Sequence, residues 1–270
     1  VPPRDLRQGA GPQRREGDHV VNKLLRSEWI KWSTIRMNWI LALIGILLSL
    51  APVVLLVVLY GRAIGDTEPD TSIESRVELV GSGAIMLITF AGVLGVRVFG
   101  NEYRTKTMMP SIVAAPIRSE MMTAKTLTGA GIGALFALVG VGAAIVTAMV
   151  GLETKDYPLR FDDPHMLRIT LGTAAVVVVY ALVGTAFGAI FTSPALAVAL
   201  VIAVPGVVEP AIAGFLPGTR GEYLPFAAGN ALVQASPSGP NAAEGGAIFV
   251  GFAFLLLIVA GLVFQRRDLG

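Results

Sequence analysis

Residues 169–208 read ITLGTAAVVVVYALVGTAFGAIFTSPALAVALVIAVPGVV, forty positions without an Asp, Glu, Lys, Arg or His. A helix rises 1.5 Å per residue, so about 20 apolar residues cross the hydrocarbon core of a bilayer. Forty is too many for one crossing. The middle of the run, Phe191-Thr192-Ser193-Pro194, is a turn signal, and Pro194 suits the first turn of a new helix. The stretch predicts two membrane spans joined by a tight hairpin.

Working outward, four more uncharged runs have span length: 37–61, 79–96, 126–152 and 245–265. That makes six spans. Composition agrees. Of 270 residues, 54% are hydrophobic and 15% charged, where a soluble domain carries about a quarter charged residues. The mean hydropathy is +0.69. These values exclude an ordinary soluble protein and a disordered one. The net charge of +2 gives no basic face for nucleic acid. There is no cysteine and there are two histidines, His19 and His165, so disulfides, thiol chemistry and paired-histidine metal sites lack their parts. We expect no catalytic, cofactor-binding or metal-ligating residue in this chain. Arginine (16) far exceeds lysine (5) and Ala, Gly and Val abound, which points to a GC-rich, actinobacterial source.

A further uncharged run, 223–243, holds Pro225, Pro237 and Pro240 with Asn230, Gln234 and Asn241. It is too polar and too broken to face lipid, where each backbone group needs an internal partner. We read it as a re-entrant or surface-lying segment, with a seventh span as the lesser alternative. The positive-inside rule then orients the chain. With the N-terminus in the cytoplasm, the inner segments carry 15 Lys and Arg and the outer ones 6. Both termini are predicted cytoplasmic, in the cell membrane. Residues 1–20 are polar and lack the apolar core of a signal peptide.

The expected layout is therefore an all-α integral membrane protein. Residues 1–21 form a disordered tail and 22–270 a single six-span domain. Its spans lie at about 38–60, 78–97, 125–151, 168–191, 194–209 and 245–265. A cytoplasmic loop covers 98–124 and the outer re-entrant segment 221–238. Before the first span, 22–36 reads as an amphipathic interfacial helix. Leu25, Trp29, Trp32, Ile35 and Trp39 share one face, and Lys23, Ser27, Lys31, Thr34 and Asn38 another. All three tryptophans sit here, at the boundary that Trp and basic residues favour.

The six runs contain no ionisable residue, which argues against ion-coupled carriers and intramembrane proteases. Ser82 is a conceivable nucleophile, but no histidine or carboxylate within a run activates it. Glu78, Arg97 and Glu209 stand at span edges. The pairs Gly129–Gly133 and Gly184–Gly188 are GxxxG motifs, read as packing within the chain. Residues 100–107, GNEYRTKT, fall one glycine short of a phosphate-binding loop, with Thr105 in its place and a span instead of a strand before it. ATP binding by this chain is not expected.

The loop RVFGNEYRTKTMMPSIVAAPIRSEMMTAK (97–125) carries a resemblance. Glu102, Tyr103, Arg104 and Thr107, then Ala114, Ala115, Pro116, Arg118, Ala124 and Lys125, resemble the second-span end and coupling region of ABC transporter permeases of the second export type. Lys106 stands where that family has glycine. The order of elements is similar too: elbow helix, six spans, a polar segment before the last span, and a terminal Arg-Arg-Asp-Leu. The resemblance implies a transport subunit without its own ATPase site, forming the pathway with a second permease, identical or related. ATP and Mg would sit on two partner ATPase subunits. It implies ATPase coupling through Glu102, Arg104, Thr107, Met108, Pro110, Ile112, Pro116 and Arg118. It places an outer gate at Tyr223, Leu224, Pro225, Phe226, Asn230 and Leu232. The uncharged spans suit an amphipathic or hydrophobic cargo, such as a drug, an antimicrobial peptide or a lipid. The alternatives are a secondary carrier or channel, a membrane enzyme, and a non-transporting scaffold or immunity subunit.

Overall fold

A computed structural model describes residues 12–62, 71–105, 107, 117–234 and 238–266. Every regular element among them is helical. In chain order these are α1 (Pro12–Ser33), α2 (Arg36–Leu59), α3 (Ile73–Gly81), α4 (Ala84–Thr105), α5 (Arg118–Glu153), α6 (Pro164–Ile190), α7 (Pro194–Ala203), a π-helical turn (Val204–Val208), α8 (Glu209–Phe215), a 3-10 turn (Gly218–Tyr223), α9 (Pro225–Asn230) and α10 (Ala242–Arg266).

Six stretches are long and apolar enough to cross a membrane: α2, α3 with α4, α5, α6, α7 through α8, and α10. The hairpin falls where the turn signal placed it. Phe191 ends α6, and Ser193 caps α7 by accepting a hydrogen bond from the Leu196 amide at 3.4 Å.

The burial pattern is that of a protein dissolved in lipid. In α2 the buried positions are Asn38, Ala42, Gly45, Ser49, Val53 and Val57, a narrow stripe of mostly small residues. Leu43, Leu47 and Leu55 on the same helix are exposed. In water such a surface would be a large unpartnered apolar patch; against acyl chains it is ordinary solvent contact. Helix α6 is the most buried span and packs against α4, α5 and α10. At the α4–α6 contact the backbones nearly touch. A Cβ on Gly184 would lie 2.0 Å from the Gly92 carbonyl oxygen, and one on Gly188 would lie 2.6 Å from that of Val96. The Gly184–Gly188 motif thus serves contact within the chain.

Several boundaries differ from expectation. Helix α1 begins at Pro12, so 12–21 is helical rather than a disordered tail. Pro12 suits a first turn, and the Gln-Arg-Arg-Glu that follows favours helix. The second span starts at Ile73 and is interrupted near Gly83, whose backbone abuts that of Ser49. Helix α4 runs to Thr105 and α5 starts at Arg118, so both helices reach into the expected 98–124 loop; residues 106 and 108–116 of it lie outside the described residues. An uncharged-run criterion stops a span at its first charge, whereas a helix continues where its charges are paired. The fifth span continues past 209 to Phe215, through the π-helical turn that contains Pro205.

At the end of the bundle away from α1, capping bonds fix the turns. Asn241 Oδ1 accepts from the amides of Ala243 and Glu244, while Glu244 Oε2 accepts from the Asn241 amide, a capping box that starts α10. Lys155 Nζ donates to the Val58 and Tyr60 carbonyls at 2.8 and 2.9 Å, closing the end of α2.

Candidate functional site

Helix α1 packs against α5 and the start of α2, and its side chains reach the end of α4. Four charged side chains join three of these elements. Lys31 Nζ lies 2.7 Å from Glu28 Oε1 and 3.0 Å from Glu102 Oε1. Lys125 Nζ lies 2.6 Å from Glu28 Oε2 and 3.0 Å from Glu102 Oε2. The result is a closed ring of alternating charge, with Glu28 and Lys31 from α1, Glu102 from α4 and Lys125 from α5.

Lys125 is fully buried, and Glu28 and Glu102 are buried with it. Lys125 Nζ also sits 5.1 Å from the centre of the Phe99 ring. Burial alone would raise the Glu28 carboxyl, but Lys125 and Lys31 outweigh it and hold the group below its usual range. Burial would likewise lower Lys31, but Glu28 and Glu102 outweigh it and raise the ammonium above its usual range. Glu28 and Lys31 therefore keep their charges at neutral pH.

A second set of bonds fixes the elbow between α1 and α2. Buried Asn38 donates through Nδ2 to the Trp32 carbonyl at 2.6 Å and accepts from Arg97 Nε of α4. Trp39 Nε1 donates to the Ser33 carbonyl at 2.7 Å. Trp32 packs between Trp29 and Trp39, with ring centres 6.1 and 5.6 Å apart. At the start of α5, Arg118 Nη1 donates to the Phe264 and Gln265 carbonyls, closing the C-terminal end of α10. Both flanks of segment 106–117 are thus tied, one to α1 and α2, the other to α1 and α10.

The sequence-predicted coupling residues divide accordingly. Glu102 is in the ring, Arg118 caps α10, and Arg104 and Thr107 are exposed beside α1. Met108, Pro110, Ile112 and Pro116 lie outside the described residues. Of the interfacial stripe, Leu25 is half-buried, Trp32 buried, and Trp29 and Trp39 exposed. Ile35 and Trp39 are not on the same helix as the rest, because the chain breaks at Thr34–Ile35, where Ile35 is extended.

At the opposite end, Phe226 is buried against Tyr180, Phe249 and Phe252, with ring centres 5.4 to 5.7 Å away. Leu232 packs on the same core, Leu224 and Pro225 are half-buried at the start of α9, and Tyr223 and Asn230 are exposed. Glu209 is not a free helix-end charge. It is buried within the fifth span, and its carboxylate accepts from the Phe226 and Ala227 amides at the start of α9. Nearby on the surface, Glu74, Glu78 and His165 each bring a ligand atom within 4.8 Å of the others, two of the three being exposed.

Glu28 was not singled out from sequence, and Lys31 and Asn38 were read only as a polar face and Arg97 only as a span-edge charge. One signal was available: Glu28 stands three residues after Leu25 and four before Trp32, on the apolar stripe of α1 where a lone carboxylate needs a buried partner.

Fold and site define a multi-pass α-helical membrane protein whose elbow helix is locked by charge to the two spans that flank residues 106–117. Helical membrane proteins of many kinds share such a bundle, so the family is decided by the sequence it carries. The chain belongs to the ABC-2 family of transporter proteins: that family's model matches residues 24–207, about two-thirds of the chain, from α1 into the π-helical turn. No curated protein matches it. As a member it is a permease component of an ABC transporter, a class that works with ATPase subunits.

Proposed function

We propose that this chain is the membrane subunit of an ATP-driven exporter, with the α1 end in the cytoplasm and segment 106–117 seated on a separate ATPase. The observation that carries this is the charge ring. It makes α1, α4 and α5 one mechanical unit at the base of that segment. A displacement imposed there by ATPase closure is passed to two spans and the elbow together, because a buried ion-pair ring resists being opened one partner at a time.

In this reading the chain hydrolyses nothing and binds no nucleotide. Two ATPase subunits carry ATP and Mg, and a second permease, identical or related, completes the pathway. The cargo is amphipathic or hydrophobic, such as a drug, an antimicrobial peptide or a lipid. The support is that the fully or largely buried carboxylate and ammonium of the later spans are already held: Lys125 by the ring and Glu209 by two amides. Tyr223, Phe226 and Leu232, at the end opposite α1, form the outer closure.

Affinity purification from the native host in mild detergent, with mass spectrometry and an ATPase assay, tests the proposal. A stoichiometric soluble ATPase is expected, with turnover in the purified complex. A chain that purifies alone without ATPase activity overturns it and favours a carrier, channel or scaffold.

A further inference from the structure

Beside the charge ring, α1 and α4 enclose a cavity of about 390 Å³. Its wall includes Lys31, Ile35, Arg97, Asn101, Arg104 and Thr105, and the carboxylates of Glu28 and Glu102. Both carboxylates are already held between Lys31 and Lys125. The two arginines are different. Neither makes an ion pair among the described residues. Arg97 spends Nε on Asn38, and its Nη2 is buried with no hydrogen-bond partner. Arg104 follows seven residues later, two turns along the same face of α4, with Asn101 and Thr105 nearby on that face. Two unneutralised guanidiniums on one wall, one with an unmet buried donor, call for an anion with several acceptor oxygens.

We propose that this cavity binds the phosphate of an anionic phospholipid headgroup. Phosphate offers what a planar guanidinium recognises, two oxygens that accept bidentately and a negative charge. The position selects a lipid as its source. Trp29 and Trp39, exposed on the elbow, mark the membrane–water boundary. Exposed Ile40, Leu43 and Leu47 run from there along α2 and offer acyl chains a continuous apolar surface. A zwitterionic lipid would bring its own cation towards Arg97 and Arg104 and is disfavoured. The site does not depend on the exporter reading and would exist in the isolated chain.

Native mass spectrometry of the full chain in mild detergent, with dioleoyl phosphatidylglycerol, dioleoyl phosphatidylcholine or inorganic phosphate added, tests this. The expected result is one phosphatidylglycerol retained per chain in preference to phosphatidylcholine. Arg97→Gln and Arg104→Gln should each weaken retention about tenfold, the order of one lost charge-assisted hydrogen bond. Arg26→Gln, an exposed α1 cation outside the cavity, should not. Arg97→Lys, which keeps the cation but loses the bidentate fork, should weaken retention less than Arg97→Gln. Exposed Arg104 carries the test if Arg97→Gln fails to fold. Equal retention of the two lipids overturns the proposal, as does an equal loss in Arg26→Gln, which would mean diffuse surface attraction. Binding of inorganic phosphate with the same arginine dependence but no lipid preference assigns the site to a free anion. A cavity that takes no lipid, and loses its arginine reactivity only when an ATPase is bound, belongs to the partner protein; either result overturns the lipid assignment.

Discussion

Replacing Lys125 by methionine would leave Glu28 and Glu102 facing each other across a buried space with only Lys31, at its edge, to neutralise them. Removing one partner of a buried pair costs about 3–5 kcal/mol, so thermal unfolding in detergent should show a large loss for Lys125→Met. Lys31→Met should cost less, because that side chain is 43% exposed and water screens its charge. The pH dependence follows from the same groups. Glu28 is held below its ordinary value of 4.5 in the folded chain, so its stabilisation is full above that value and is lost as pH falls through the lower, folded one. Lys31 is raised above 10.5, so its smaller share is full below that value and is lost at more alkaline pH. The unfolding midpoint should therefore be flat around neutrality and fall in acid, and Glu28→Gln should flatten the acid limb. An acid limb unchanged by Glu28→Gln would remove the ring as its source.

Among the elements, the α4–α6 contact is the most sensitive to added volume. Gly184→Ala places a methyl 2.0 Å from a carbonyl oxygen of the other backbone, so the two helices must part. Overpacking of this kind costs about 1–3 kcal/mol. Gly142→Ala on α5, with nothing within 4 Å of the added carbon, is the matched control and should be neutral or slightly stabilising. Equal effects of the two, measured by detergent melting, would contradict the packing described. The spans themselves were legible because lipid demands uncharged runs and Pro194 punctuates the longest of them. The ends of α4 and α5 were not, because Arg97, Glu102 and Lys125 read as loop charges until their partners are known. Those partners lie 23 to 97 residues away in sequence, beyond the reach of any helical periodicity. Glu209 was misjudged for the same reason: its acceptors are filled by amides 17 and 18 residues later.

For the whole molecule, six crossings bring the end of α10 back to the end of the bundle where α2 starts, and Arg118 of α5 ties it there. A reporter fused after the last helix should be read in the cytoplasm; a reading on the outer side would reverse the proposed orientation. In a reconstituted complex with its ATPase, Arg104→Glu should leave the protein inserted and ATP turnover measurable while export falls. Unchanged coupling would remove Arg104 from the contact with the ATPase.

The ring also imposes an order on biosynthesis. Glu28 leaves the ribosome 97 residues before Lys125, the cation closest to it. At about 5–20 residues per second, α1 waits roughly 5–20 seconds with only its neighbour Lys31 for company. It cannot dock until α5 has entered the bilayer. The elbow is made before the three spans that follow it and is fastened only after the third of them, so its closure reports that those three spans have assembled.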